Sequence, residues 1–232
     1  MIIKGLQKIT LLDFPGKVAC TVFTGGCNFR CPFCHNDSLV THSERVKSIP
    51  EEEIFSYLSR RKGVLDGVGI TGGEPLLQKD IADFCRKVHD MGLLVKLDTN
   101  GSFPDRLRAL LDEGLVDYIA MDIKNCKEAY AETCGLKDMS QELEKIEESI
   151  RLIMSVGIPY EFRTTVVREF HSEARMEALA KEIAGAERFF LQTFTDSGDL
   201  IGGGLSAYSA EEMEKLLSIV KPYVPTTELR GI

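Results

Sequence analysis

The chain has no tryptophan, no long run of basic residues and no long apolar segment. Each absence removes a class of function. Without a basic patch, and with aromatics that do not interleave with Lys or Arg, the charge and stacking footprint of a nucleic-acid binder is missing. No stretch approaches the ~20 apolar residues that a membrane helix needs. Lys4 and Lys8 break the apolar residues between Met1 and Lys17, so the unbroken core of a signal peptide is also missing. The seven cysteines are odd in number and are not spaced as a disulfide framework. These features point to a reducing, cytoplasmic setting. No linker-like tract and no sequence repeat interrupts the 232 residues, 44% of them hydrophobic, so a single domain spanning 1–232 is expected. The net charge of −8 needs no explanation beyond a solvated surface.

What is present is a regular alternation. Apolar runs that read as strands fall at Val18 to Phe23, Gly67 to Thr71, Leu93 to Leu97, Val116 to Met121, Tyr160 to Val167 and Arg188 to Thr193. Between them lie helical faces such as Ile81, Phe84, Cys85 and Val88, spaced i, i+3, i+4, i+7 and stopped by Gly92. Ser48-x-x-Glu51 and Ser209-x-x-Glu212 read as capping boxes. A β-then-α order repeated about six times argues for a parallel sheet with helical crossovers. A full eight-fold barrel takes ~250 residues. The expected fold is therefore α/β, a partial (β/α)6 TIM-type barrel of parallel strands, with an open doubly wound sheet as the alternative.

Polar residues gather where those strands end. Gly72-Gly73-Glu74, Asp98-Thr99-Asn100 and Asp122 with Lys124 each follow a predicted strand, and so does Cys27-x-x-x-Cys31-x-x-Cys34. In a parallel barrel such ends share the ligand-binding rim. Three cysteines within eight residues are a metal site before they are anything else. A closed zinc site needs a fourth ligand, and His35, adjacent to Cys34, is poorly placed to supply it. A four-iron cluster normally takes four thiolates, so three would leave one iron open. The cysteines alone do not choose between these.

The three-cysteine loop, residues 24–36, is similar to the signature of the radical S-adenosylmethionine (SAM) family. Thr71-Gly-Gly-Glu-Pro75 resembles that family's Gly-Gly-Glu element. Leu97-Asp-Thr-Asn-Gly101 and Met121-Asp-Ile-Lys124 resemble elements of the glycyl-radical-enzyme activases within it. With Asp13-Phe-Pro-Gly-Lys17, Phe162-Arg-Thr-Thr165 and Glu228-Leu-Arg-Gly231, the motifs cover nearly the whole chain. Together they resemble the long-form activases of anaerobic ribonucleoside-triphosphate reductase.

The resemblance implies a [4Fe–4S] cluster on Cys27, Cys31 and Cys34, with SAM on the fourth iron. Phe33 would lie near the adenine, and the alternative for it is a loop anchor. Gly72, Gly73 and Glu74 would receive the SAM ammonium, the alternative being a tight turn that Pro75 converts to helix. Asp98, Thr99, Asn100, Asp122 and Lys124 would surround the methionyl and ribose groups, some by way of a monovalent cation. Capping is the alternative for Asp98 and Asn100, and a solvated surface position for Lys124. Arg163 would meet either the SAM carboxylate or Asp122. A low-potential donor such as flavodoxin or ferredoxin would reduce the cluster, and the resulting 5′-deoxyadenosyl radical would take hydrogen from a glycine of a partner enzyme. No protein acid or base is required, so no catalytic side chain is expected.

The remaining reactive residues carry less. Cys20 and Cys85 read as core, and Cys126 and Cys134 flank a helical turn. His171 begins a helix and could approach the rim, with a surface position in the cap region as the default. The Gly-rich stretch 196–206 is a candidate flap. Two rival functions stand: a radical SAM enzyme acting on a small, purine-like molecule, and a zinc module without enzymatic activity.

Overall fold

The computed structural model describes residues 1–196, 198 and 200–231. Its strands are β1 (Ile3–Thr10), β2 (Ala19–Thr24), β3 (Gly67–Gly72), β4 (Leu94–Thr99), β5 (Tyr118–Asp122), β6 (Tyr160–Val166), β7 (Phe189–Thr193) and β8 (Glu228–Arg230). The helices are α1 (Asp37–Val40), α2 (Glu51–Arg60), α3 (Ile81–Asp90), α4 (Pro104–Asp112), α5 (Lys127–Thr133), α6 (Ser140–Ser155), α7 (Glu173–Glu182) and α8 (Ala210–Val220). Strand order follows chain order from β1 to β8, without a closing pair among the described residues. This is an α/β fold with a parallel sheet, in the manner of a partial barrel. The six expected strands are β2 to β7. The candidate flap at 196–206 includes 197 and 199, which lie outside the described residues.

The chain divides into two compact units. The first comprises Met1–Asn28, Ser38–Thr99 and Phe103–Ile119. There β2, β3 and β4 pair in parallel, and β1 pairs antiparallel with β2. β2 and β3 are buried almost throughout, as strands covered on both faces must be, which is why they read as apolar runs rather than alternations. Ile54 and Leu58 of α2, Phe84 and Val88 of α3, and Leu107 of α4 are buried, as their spacing requires. β1 was not expected: Lys4 and Lys8 interrupt its apolar residues, and its middle is exposed.

One expected cap is corrected. The residue preceding α2 is Pro50, with no side-chain cap. The Ser48 hydroxyl instead accepts from Lys4 Nζ at 3.0 Å, and Glu51 accepts from the N-terminal ammonium. A charged donor brought in by β1 outcompetes the backbone amide for that hydroxyl.

The second unit comprises Phe29–Asp37, Asn100–Ser102 and the chain from Ala120 onward. β6, β7 and β8 pair in parallel. Ile146, Ile150 and Ile153 of α6, Met176 and Leu179 of α7, and Met213 and Leu216 of α8 are buried. Ser209 and Glu212 form the capping box expected at α8. Glu161 of β6 is 1% exposed and is held by Arg230 of β8 through two bonds of 2.8 and 2.9 Å. A bidentate pair of this kind lets a carboxylate be buried.

Candidate metal centre

In the first unit the end of β3 is pressed against the start of the cysteine loop. Gly73 N–H donates to the Thr24 carbonyl at 3.0 Å, and Glu74 N–H donates to the Gly26 carbonyl at 2.8 Å. A Cβ on Gly73 would lie 2.0 Å from the Gly26 oxygen. One on Gly72, whose φ is +115°, would lie 2.4 Å from the Thr24 nitrogen. Only glycine fits both the approach and the second conformation. Gln78 Nε2 donates to the Gly25 carbonyl at 3.0 Å and ties down the other side of the turn. The backbone that leads into Cys27 is therefore braced by the Gly-Gly-Glu element.

Glu74 is fully buried. Its Oε1 accepts from Leu76 N–H at 3.0 Å, capping the short 3-10 turn Pro75–Leu77, and from Thr99 Oγ1 at 2.9 Å. The turn reading of this element is thus correct locally, and the same carboxylate is joined to the end of β4. Asp98 and Thr99 belong to β4 rather than following it. Asp98 pairs with Lys96, two residues earlier on the same face of the strand. Lys96 is 2% exposed, a burial that the ion pair and the Tyr118 ring 6.0 Å away make tolerable.

The second unit holds Asp122, Lys124 and Arg163. Asp122, the last residue of β5, accepts from Arg163 Nε at 2.9 Å and from Lys124 Nζ at 3.2 Å. Burial alone would raise the Asp122 carboxyl, but the two cations outweigh it and hold it at about 2. Lys124 is shifted upward: burial opposes its charge, and Asp122 with the sulfurs of Cys31 and Cys134 overcomes that opposition. Arg163 therefore takes the Asp122 partner foreseen as its alternative. Lys124, 17% exposed at its side chain, is not the solvated lysine of the bland reading. Asn100 accepts from Ser102 N–H at 3.0 Å, a local turn that fixes the backbone after β4.

The rest of the cysteine loop belongs to this unit. Cys34 N–H donates to the Cys31 carbonyl at 3.0 Å, which makes Cys31 to Cys34 a tight turn. A hydrogen bond from Cys134 lowers the Cys31 thiol against the effect of burial, and Lys124 acts in the same sense. Burial raises Cys34. Phe33 is 4% exposed, with its ring centroid 5.9 Å from that of Phe170, so it does anchor the loop. No disulfide joins any of the seven cysteines.

Four residues of this unit were not foreseen. His171 is fully buried, which corrects its reading as a surface residue. Its Nδ1 accepts from Val167 N–H at 3.0 Å, and its Nε2 lies 2.8 Å from the Lys124 carbonyl. With Nε2 protonated both contacts are satisfied by the neutral ring, and burial lowers its pKa accordingly. Asn125, also fully buried, donates to Thr133 Oγ1 and to the Phe170 carbonyl, each at 2.9 Å. Tyr130 accepts from Lys124 N–H at 3.2 Å. Cys134 is buried at the end of α5. Their partners lie up to 47 residues away, and no local spacing announces them.

The donor set fits an iron–sulfur group. Three thiols in one loop, with no fourth cysteine in their spacing, are the number and type of donor that a cluster with one open iron would take. The glycine turn behind Cys27 is a cradle that any Cβ would fill.

Residues 21–183 match the Radical SAM superfamily, and the chain belongs to that superfamily. Over its whole length it is 31% identical to a protein of Methanocaldococcus jannaschii described as "Putative glycyl-radical enzyme activating enzyme MJ1227", covering 96% of that relative. It is 26% identical over 67% of its length to GTP 3',8-cyclase of Nautilia profundicola, of which it spans 49%. Among solved structures, a radical SAM methyltransferase from Sphaerobacter thermophilus superposes on 96% of this chain with a TM-score of 0.73 at 15% identity, over 68% of that protein. That likeness concerns the fold. Membership of the superfamily implies a [4Fe–4S] cluster and SAM.

Proposed function

We propose that this chain, as one radical SAM domain, activates a glycyl-radical enzyme, with anaerobic ribonucleoside-triphosphate reductase as the partner. The observation that carries the reading is end-to-end similarity to a relative described as an activating enzyme, with no large segment of either left over. Cys27, Cys31 and Cys34 would hold the cluster. When bound, the cluster and SAM supply reductive cleavage of a carbon–sulfur bond, with the electron coming from flavodoxin or ferredoxin.

The chain's own residues bind and orient. Gly72 and Gly73 keep the backbone at Cys27 in place, and Glu74, fixed by Leu76 and Thr99, offers a carboxylate to the SAM ammonium. Asp98, Thr99, Asn100, Asp122 and Lys124 would contact the methionyl and ribose groups or a monovalent cation among them. Arg163 would reach the SAM carboxylate while paired to Asp122, and Phe33 would flank the adenine. A glycine of the partner suits such a site because its backbone enters without a side chain.

Anaerobic reconstitution with iron and sulfide tests the metal centre, by absorption spectra with and without SAM. Cys31→Ala is expected to lose both the cluster and SAM cleavage. Cleavage at the wild-type rate in that variant would refute the ligand assignment. Incubation with SAM, reductant and a purified reductase tests the partner by the glycyl signal in electron paramagnetic resonance. The similarity to GTP 3',8-cyclase favours a second reading, in which the substrate is a small purine nucleotide. Turnover of such a nucleotide without a glycyl signal would select it.

A further inference from the structure

The residues between and beside the last two cysteines are each held from outside their loop. Gly202 N–H donates to the Pro32 carbonyl at 2.8 Å. The Phe33 ring packs on Phe170, and the His35 ring centroid lies 5.9 Å from that of Phe194. These partners come from two loops of the second unit, one between β6 and α7 and the other between β7 and α8. The two loops are fastened to each other. Arg168 N–H donates to the Ser206 carbonyl at 3.0 Å. Ser206 in turn donates its N–H to Glu169 Oε2 at 3.0 Å and its hydroxyl to Oε1 at 2.5 Å. The Tyr208 hydroxyl donates to the His171 carbonyl at 2.7 Å, and the Arg168 guanidinium lies 4.4 Å from the Tyr208 ring centroid.

We propose that residues 200–208 are a brace for the turn at 31–34, with Gly202 the positioning residue at its contact and the Ser206–Glu169 pair its fastening. The consequence for the cluster rests on the ligand assignment proposed above; the brace itself does not. Metal ligands keep their geometry through the groups that hold them, and proline has no N–H, so the carbonyl is the one backbone group by which Pro32 can be held. A Cβ on Gly202 would lie 2.7 Å from Pro32 Cβ and 3.1 Å from its Cα. The φ of Gly202 is outside the left-handed region, so alanine is excluded there by space and not by backbone conformation. Gly203 also has an ordinary φ, and nothing lies within 4 Å of a Cβ added to it. The adjacent glycines therefore form a matched pair, one at the contact and one away from it.

The test compares wild type with Gly202→Ala, Gly203→Ala, Ser206→Ala and Ser206→Thr. In metal-free protein, amide hydrogen exchange at Cys34, which donates to the Cys31 carbonyl, reads the turn directly. Exchange there is expected to be about tenfold faster in Gly202→Ala and about threefold faster in Ser206→Ala. Ser206→Thr keeps the hydroxyl and should restore the wild-type rate, and Gly203→Ala should match wild type. The amides of α6 should be unchanged throughout, which separates a loosened turn from a general loss of stability. In reconstituted protein, iron release to a chelator should follow the same order. Wild-type exchange at Cys34 in Gly202→Ala would overturn the proposal. So would equal acceleration in the two glycine variants, or acceleration at Cys34 and α6 together.

Should Gly202→Ala fail to fold, Ser206→Ala against Ser206→Thr decides the matter, and equal exchange at Cys34 in those two overturns the proposal. A wild type that assembles no cluster would refute the proposed function, while the exchange comparison would still judge the brace. A loaded wild type whose variants exchange and release iron at its own rates would refute only the brace.

Discussion

The two units prepare their candidate residues by different means. In the first, the approach to Cys27 is held by backbone against backbone, with Gly72 and Gly73 allowing contacts that no side chain permits. In the second, Asp122, Arg163 and Lys124 are held by charge. The first arrangement is steric and indifferent to pH. The second depends on ionisation and on side chains that must each find a partner. Substitution and acid should therefore separate them.

The largest expected effect is in the steric unit. Gly73→Ala places a carbon 2.0 Å from a backbone oxygen, and the strand or the loop must move. A loss of about 3 kcal/mol is expected in anaerobic urea denaturation, with less iron retained after reconstitution. The sharpening control is Gly63→Ala in the same unit. Its φ is +80°, but nothing lies within 4 Å of an added Cβ, so only the conformational penalty of about 1 kcal/mol applies. Equal costs at the two positions would mean that backbone approach is not what the Gly-Gly turn provides.

In the charged unit, Asp122→Asn keeps the shape and removes the anion between two cations. Asp122 retains about a third of its side-chain exposure, and Arg163 only 14%. The cost is set between exposed and buried pairs, at about 2 kcal/mol. The carboxyl is held at about 2 when folded, below its ordinary 3.8. Its contribution is therefore complete above about pH 4 and is lost as pH falls towards 2. Wild-type stability should decline across that window, and the Asp122→Asn variant should decline less. Parallel acid curves for the two proteins would break the contrast between the units.

The same contrast explains what the sequence allowed to be read. Gly72-Gly73-Glu74 and Cys27-x-x-x-Cys31-x-x-Cys34 are local words, and their chemistry is carried by spacing within a few residues. Helices such as α3 were legible because periodicity is local too. The charged unit was legible in its members and in one candidate pairing, Arg163 with Asp122, but not in the pairing of Glu161 with Arg230. Arg163 and Asp122 are 41 residues apart, and Glu161 and Arg230 are 69 apart. Ser48 was misread because the donor that claims it sits 44 residues earlier, in a strand whose lysines disguised it. His171 and Cys134 were passed over for the same reason: a lone His or Cys carries no mark of what the fold brings against it.

His171 provides the smallest effect and the finest division between the two units. It is neutral in the fold, its Nδ1 accepting from Val167 and its Nε2 facing the Lys124 carbonyl. Burial lowers its pKa below the ordinary 6.5. The unfolded chain therefore takes up this proton first as pH falls, so stability is complete above about 6.5 and declines below it. The slope from one such group cannot exceed about 1.4 kcal/mol per pH unit. His35, also lowered by burial, adds a slope of the same sign, so wild type alone does not isolate the ring. His171→Gln removes the proton and keeps a side chain able to accept and donate. Its denaturation midpoint should be lower at pH 7.5 but should change less than wild type between pH 6.5 and 5. Hydrogen exchange should show the wild-type loss first at Lys124 to Thr133 and Val167, before the amides of Gly73 and Glu74. Simultaneous loss at both places would mean that the steric turn and the charged cluster fail as one.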